Sequence, residues 1–182
     1  MGKLILISGE NDSGKSLAAE KIAVKIEGRR YYIATMIPKI EDNYIRIEKH
    51  RKRRETLDFT TMELPYSVAD APVEPGGVVL IEDISNLLAN NIFEKNNTME
   101  NVFYDIKKLV EKCRVVIAVT ISGLKSDGYD GETANYIDKL NELNARLAQT
   151  ACVVIKMSDG NMIYEKVEDD DYKIPYGGNI NI

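Results

Sequence analysis

With 182 residues, the chain has room for one domain with a substantial core and too little for two ordinary ones. Apolar residues at 44% and charged residues at 29% are those of a soluble globular protein. The net charge of −5 excludes a protein that holds nucleic acid by its overall field, so any basic function must be local.

The first residues, Lys3 to Ser8, form a short apolar run too brief for a signal peptide. It enters Gly9-Glu10-Asn11-Asp12-Ser13-Gly14-Lys15-Ser16, the pattern G-x-x-x-x-G-K-[ST] with a strand before it and helix-forming sequence after it. Residues 16–27 place Leu17, Ala18, Ile22, Val24 and Ile26 among Lys and Glu, which predicts an amphipathic helix ending near Gly28. Arg30 to Met36 is β-branched and aromatic and predicts a strand. Ile40, Tyr44 and Ile47 make a helical stripe in a segment running to about Arg54. Leu57 to Leu64 can form a short strand that Pro65 stops, and Pro72, Pro75 and Gly76-Gly77 mark a turn.

Val78 to Ile81 is a continuous apolar run of the kind buried on both faces of a sheet, and it ends in Glu82-Asp83. Residues 84–94 predict a helix, Asn96-Asn97-Thr98 a break and an N-cap. A second helix then runs to about Lys112 with Val102, Ile106, Leu109 and Val110 on one side. Val115 to Thr120 is another buried strand, Ser122 to Gly131 a loop, and Glu132 to Gln149 a long helix. Cys152 to Met157 and Met162 to Val167 make a final strand pair that turns at 158–161. Cys113 and Cys152 lie in or beside apolar runs and read as buried thiols. No stretch approaches the length of a membrane span. Strands alternating with helices predict a three-layer α/β domain with a mainly parallel sheet, whose ligands bind at the carboxyl ends of the strands.

The chemistry of the opening loop follows from its residues. Glycines let backbone N–H groups turn inward around phosphate oxygens, and the helix start adds its positive end. Lys15 is placed to reach the β- and γ-phosphates, and the Ser16 hydroxyl to ligate Mg²⁺. An acidic residue at the end of a buried strand supplies the other half of such machinery, and position alone leaves open whether Glu82 or Asp83 serves. The alternative is that the acid merely caps the next helix. Six of the nine residues 46–54 are Lys or Arg, and the protein's one histidine, His50, lies among them. Arg46, His50 and Arg54 share a helix face. Surrounding cations favour neutral imidazole, the form that attacks phosphorus, and arginines can hold phosphate oxygens. A solvated basic helix face is the plainer reading of the same residues.

Taken together, these residues resemble the adenosylcobinamide kinase/adenosylcobinamide-phosphate guanylyltransferase family. The resemblance rests on the phosphate loop, Tyr32-Ile33-Ala34-Thr35, Arg46-Ile47 with His50 and Arg54, Glu63 with Pro65, Glu82 with Asn90, and Asn144, in that order. It covers the chain to about residue 157 and implies a P-loop NTPase fold of the RecA-like kind. It implies phosphorylation of the aminopropanol hydroxyl of adenosylcobinamide by ATP or GTP, with Mg²⁺, followed by transfer of GMP from GTP through a guanylylated histidine. On this resemblance His50 matches the guanylylated histidine, Arg54 a basic residue near the phosphates, and Glu82 the strand-end acid; Glu63 joins the nucleotide-binding set with Gly9 to Ser16. It also implies a homo-oligomer, a trimer in the family's pattern, with a cobinamide-like acceptor as partner.

The chain departs from the family's pattern in several places. Ile121-Ser122-Gly123-Leu124 replaces Asn-Glu-Val-Gly, Asn144-Ala145 replaces Asn-Gln, and Phe59 stands where tryptophan is usual. Glu10-Asn11-Asp12 occupies positions where the family prefers a small residue and an arginine. The expectation is a single nucleotide-binding domain over 1–166, a polar tail over 167–182, a cytoplasmic location, and no nucleic-acid partner. Two other readings use the same residues: a P-loop small-molecule kinase without guanylyl transfer, and a nucleotide-binding regulatory module whose basic helix recruits an acidic partner.

Overall fold

The computed structural model describes residues 2–37, 48, 51–52 and 54–169. Its centre is a sheet of seven strands: β1 (Lys3–Gly9), β2 (Arg30–Ala34), β3 (Phe59–Glu63), β4 (Val78–Ile81), β5 (Val115–Ile121), β6 (Val153–Ser158) and β7 (Asn161–Val167). They lie in the order β3-β2-β4-β5-β1-β6-β7. All pairs are parallel except β6 with β7, an antiparallel hairpin. Asp159 and Gly160 turn that hairpin with φ of 48° and 75°, the positive pair a two-residue turn requires.

β1, β4 and β5 are apolar on both faces because helices cover both faces. On one side lies α1 (Lys15–Ala23), whose Ala18, Ala19 and Ala23 let the helix sit close over Ile5, Ile7, Leu80 and Ile117. On the other lie α2 (Ile84–Lys95), α3 (Met99–Lys112) and α4 (Gly131–Thr150), packing Leu87, Ile106, Leu140 and Leu143 against Leu6, Val116 and Ala118. This is the three-layer architecture expected from the strand and helix pattern. The first helix is shorter than residues 16–27. It ends at Ala23, and Lys25 and Ile26 donate to Ile22 and Ala23 in tight three-residue turns that narrow the chain ahead of Gly28.

Thr98 caps α3, with Asn101 reaching back to its backbone N–H, and Asn96 closes α2 at φ 52°. β3 is an edge strand with exposed Thr60, Thr61 and Glu63. Cys113 and Cys152 are both buried free thiols. Residues 51, 52, 54 and 55 are helical, in agreement with the end of the predicted basic helix. Arg46 and His50 lie outside the described residues, as does the tail beyond Asp169. No described helix is long and apolar enough to cross a membrane.

Candidate phosphate site

The loop after β1 has the shape its residues predict. Asp12 and Gly14 take φ of 56° and 91°, turning the chain so that Gly14 opens α1. Lys15 and Ser16 are then the first two residues of that helix, beside backbone N–H groups with no intrahelical partner. The Lys15 ammonium folds back onto the Glu10 carbonyl oxygen, across the loop. Ser13 is buried, and its hydroxyl has no hydrogen-bond partner, which suits a cradle whose missing acceptor is a phosphate oxygen. Gly9 is fixed by space: a Cβ there would lie 2.6 Å from Ser13 Oγ and 2.7 Å from the Met157 carbonyl oxygen.

The two strand-end acids have different environments. Asp83 caps α2: its Oδ1 accepts from the Ser85 N–H at 2.8 Å and from the Ser85 hydroxyl, and its Oδ2 accepts from Asn86 Nδ2 at 3.1 Å. Burial raises its carboxyl above the usual range, opposed by the Ser85 and Asn86 bonds and by Lys15 nearby. Glu82 belongs to the α1 face of the sheet and stands beside the Tyr32 hydroxyl. One strand, β5, separates β4 from β1, so Glu82 ends its strand about 10 Å from the end of β1. Glu63 is farther off. Its strand is four positions from β1, about 19 Å across the sheet, and its side chain is exposed.

Arg54 is 3% exposed, and its guanidinium carbon lies 3.5 Å from the centre of the Tyr32 ring. Its Nε and Nη1 are buried without partners. The structure therefore brings Arg54, Glu82 and Tyr32 together on the α1 face and leaves Glu63 at the sheet edge.

Several polar residues shape the rim. Asn90 donates to Thr35 O at 2.8 Å and Pro65 O at 2.9 Å, and the Thr35 hydroxyl donates to Asp83 O, so the ends of β2, β3 and β4 are tied to α2. Asn144 holds the end of β5, and Asn141 donates to Leu124 O at 3.2 Å. The segment 121–124 closes over the loop: Ser122 N–H donates to Gly9 O at 3.0 Å, and Gly123 faces the Glu10 side chain. Such bonds join residues far apart in sequence, so no local pattern marks them, and Asn90 and Asn144 stand out in the sequence only through the family resemblance.

The donor set suits Mg²⁺. This ion keeps several waters and takes one or two protein oxygens alongside substrate phosphates, and a serine hydroxyl with one carboxylate is such a pair. Among the described residues no group of three or more His, Cys, Asp or Glu is placed to cage an ion by itself.

Loop, sheet order and strand-end acids define a P-loop nucleotide-binding α/β protein of the RecA-like kind. Two solved structures share its architecture. One, from Pyrococcus horikoshii OT3, is 14% identical with a TM-score of 0.52, and the match covers 94% of this chain and 89% of that one. The other, a DnaB-like replicative helicase studied with its primase, is 10% identical with a TM-score of 0.52, covering 92% of this chain and 52% of the helicase. At these identities the likeness is one of fold. The family is given by the sequence match over residues 5–164: the chain belongs to the cobinamide kinase / cobinamide phosphate guanyltransferase family. No curated protein matches the chain.

Proposed function

We propose that this protein is a nucleotide-dependent transferase that phosphorylates a cobinamide-like alcohol and then transfers GMP to the new phosphate through His50. The observation that carries the reading is the Gly9–Ser16 loop, with Lys15 folded across it and a buried, partnerless Ser13 hydroxyl inside it. In the first step the acceptor hydroxyl oxygen attacks the γ-phosphorus and the bond to the β–γ bridging oxygen breaks. The nucleoside diphosphate leaves, and the hydroxyl proton passes to Glu82. Lys15 and the backbone N–H groups at the start of α1 hold the phosphate charge that moves during this step. Mg²⁺ held by Ser16 and Glu82 would draw charge from the β- and γ-oxygens.

In the second step an imidazole nitrogen of His50 attacks the α-phosphorus of GTP and pyrophosphate leaves. An oxygen of the acceptor's phosphate then attacks the same phosphorus, the P–N bond breaks, and neutral His50 is restored. Arg54 and Glu63 are assigned to the nucleotide in this reading, which rests on family membership for both. The test is incubation with α-³²P-GTP followed by a denaturing gel. Acid-labile label on the wild-type chain, absent from His50→Ala, supports the covalent step. No label with nucleotide binding intact removes it.

A second reading keeps the kinase and changes the acceptor. It is favoured by the segment 121–124, which departs from the family's residues and packs directly on the phosphate loop. Label from GTP with no turnover of cobinamide would select it.

A further inference from the structure

The phosphate loop leans on the β6–β7 hairpin. A Cβ on Gly14 would lie 3.6 Å from Met157 Cε and 3.9 Å from Gly160 Cα, and one on Gly9 would lie 3.1 Å from Met157 Cβ. Both glycines that bracket the loop therefore approach the end of β6 or the turn after it. Met157 is buried on the α1 side of the sheet. Its partner across the hairpin is Met162, half-buried on the same side. Leu17 stands three residues beyond Gly14, so it shares that side of α1, and it too is half-buried. Leu17 and Met162 both pack on the core cluster that contains Met157. An apolar shelf thus borders the phosphate loop at the carboxyl end of β6.

A triphosphate seated in the loop has a direction. Lys15 begins α1, and Glu82 follows β4, which lies on the β5 side of β1. The phosphoryl-transfer reading above puts the γ-phosphate at this pair. The β- and α-phosphates then run back across the loop, and the nucleoside leaves it on the other side of β1, where β6 and β7 lie. The β5 side is also closed by the segment 121–124, through the Ser122 bond to Gly9 O. We infer that Leu17 and Met162 form the nucleobase site, the flat face of the base resting on the two side chains beside Met157. The inference rests on the loop holding a nucleoside triphosphate, for which the buried, partnerless Ser13 hydroxyl is the sign. Apolar side chains suit the face of a base, and a thioether adds a favourable contact with an aromatic ring. A contact with the face does not distinguish adenine from guanine, so one site serves both triphosphates.

The test compares nucleotides with inorganic tripolyphosphate, which fills a phosphate loop and has no base. Met162→Ala is expected to bind non-hydrolysable ATP and GTP analogues about fivefold or more weaker by calorimetric titration, the worth of one or two buried methylenes. Its affinity for tripolyphosphate should change by less than about twofold. Met162→Leu, which keeps the apolar bulk, should bind all three ligands within about twofold of wild type. In the wild-type chain, 8-azido-ATP under light should label the tryptic peptide of residues 157–166, and excess ATP should remove the label. Equal losses for nucleotides and tripolyphosphate, nucleotide affinity unmoved by Met162→Ala, or label that leaves 157–166 untouched overturns the inference. A wild-type chain that binds neither nucleotide nor tripolyphosphate overturns the nucleotide reading and this inference with it. A wild type that binds nucleotide and gives any of those three results overturns the inference alone.

Discussion

Asn144 on α4 grips Thr120 at the end of β5, accepting from its hydroxyl at 2.7 Å, while its own Nδ2 donates to the next carbonyl, Ile121 O, at 2.8 Å. Thr120 is fully buried, so the asparagine satisfies a hydroxyl donor that water does not reach and ties the carbonyl after it to α4. Ser122, two residues on, bonds Gly9 at the start of the phosphate loop. Asn144→Ala is therefore expected to lower stability by about 1–3 kcal/mol and to weaken triphosphate binding as the 121–124 segment loosens. Urea denaturation and a nucleotide titration on one preparation check both; an unchanged denaturation midpoint would count against this role.

Gly9→Ala tests the close approach that the phosphate loop demands. The added methyl group meets the Met157 carbonyl oxygen at 2.7 Å, and backbone, unlike the Ser13 hydroxyl on the other side, cannot turn away. Overpacking of this kind costs about 1–3 kcal/mol. The displaced loop should lose at least about tenfold in triphosphate affinity, the equivalent of one misplaced phosphate contact. Far-ultraviolet circular dichroism should be unchanged. Affinity equal to wild type would mean that the loop has room that this packing denies.

Asp83 offers a pH test. Burial raises its folded-state pKa above the ordinary 3.8. An acid raised in this way favours the fold fully below its unfolded value, and that contribution is lost as pH rises through the folded value. Asparagine is as good an N-cap as aspartate, can still accept from the Ser85 N–H, and carries no charge to desolvate. Asp83→Asn should match wild type near pH 4 and exceed it increasingly toward neutrality. Asp83→Ala, which loses the cap and the charge together, should be less stable than Asp83→Asn by about 1 kcal/mol throughout. Denaturation midpoints across the pH series decide it, and parallel curves for wild type and Asp83→Asn would remove burial as the cause.

The fold was legible because its signals are local. Uninterrupted apolar runs at 78–81 and 115–120 required cover on both faces, Thr98 sat where a helix needs a cap, and Gly160 lay in the hairpin turn. The phosphate loop was legible for the same reason, as eight consecutive residues with a strand before and a helix after. The roles of the acid pair were not. Glu82 and Asp83 are adjacent in sequence, and only the alternation of side chains along β4 and its exit assigns one to the α1 face and one to the α2 cap. Tyr32 enters the sequence reading only as part of a strand and of the family's pattern, since its packing under Arg54 leaves no periodic trace. Asn90 and Asn144 were noticed through family resemblance, and their bonds to carbonyls 25 and 23 residues away lie beyond any local pattern.

Two acids in the phosphate loop, Glu10 and Asp12, oppose its attraction for phosphate, and the fold bears on how far. Glu10 is exposed, with its carboxylate turned to Gly123: a Cβ there would lie 3.6 Å from Glu10 Oε1. It stands at the solvent side of the segment 121–124. Asp12 is likewise exposed. A unit charge about 8 Å from one phosphate charge in water contributes about 0.5 kcal/mol, and a triphosphate carries several such charges. Glu10→Gln is therefore expected to tighten triphosphate binding about threefold to tenfold at low ionic strength. The advantage should shrink to within about twofold in 0.5 M salt, where the Debye length falls to a few ångströms. Calorimetric titration with a non-hydrolysable triphosphate at both salt concentrations makes the comparison. A gain that persists in high salt would place the Glu10 carboxylate inside the phosphate cradle rather than over Gly123.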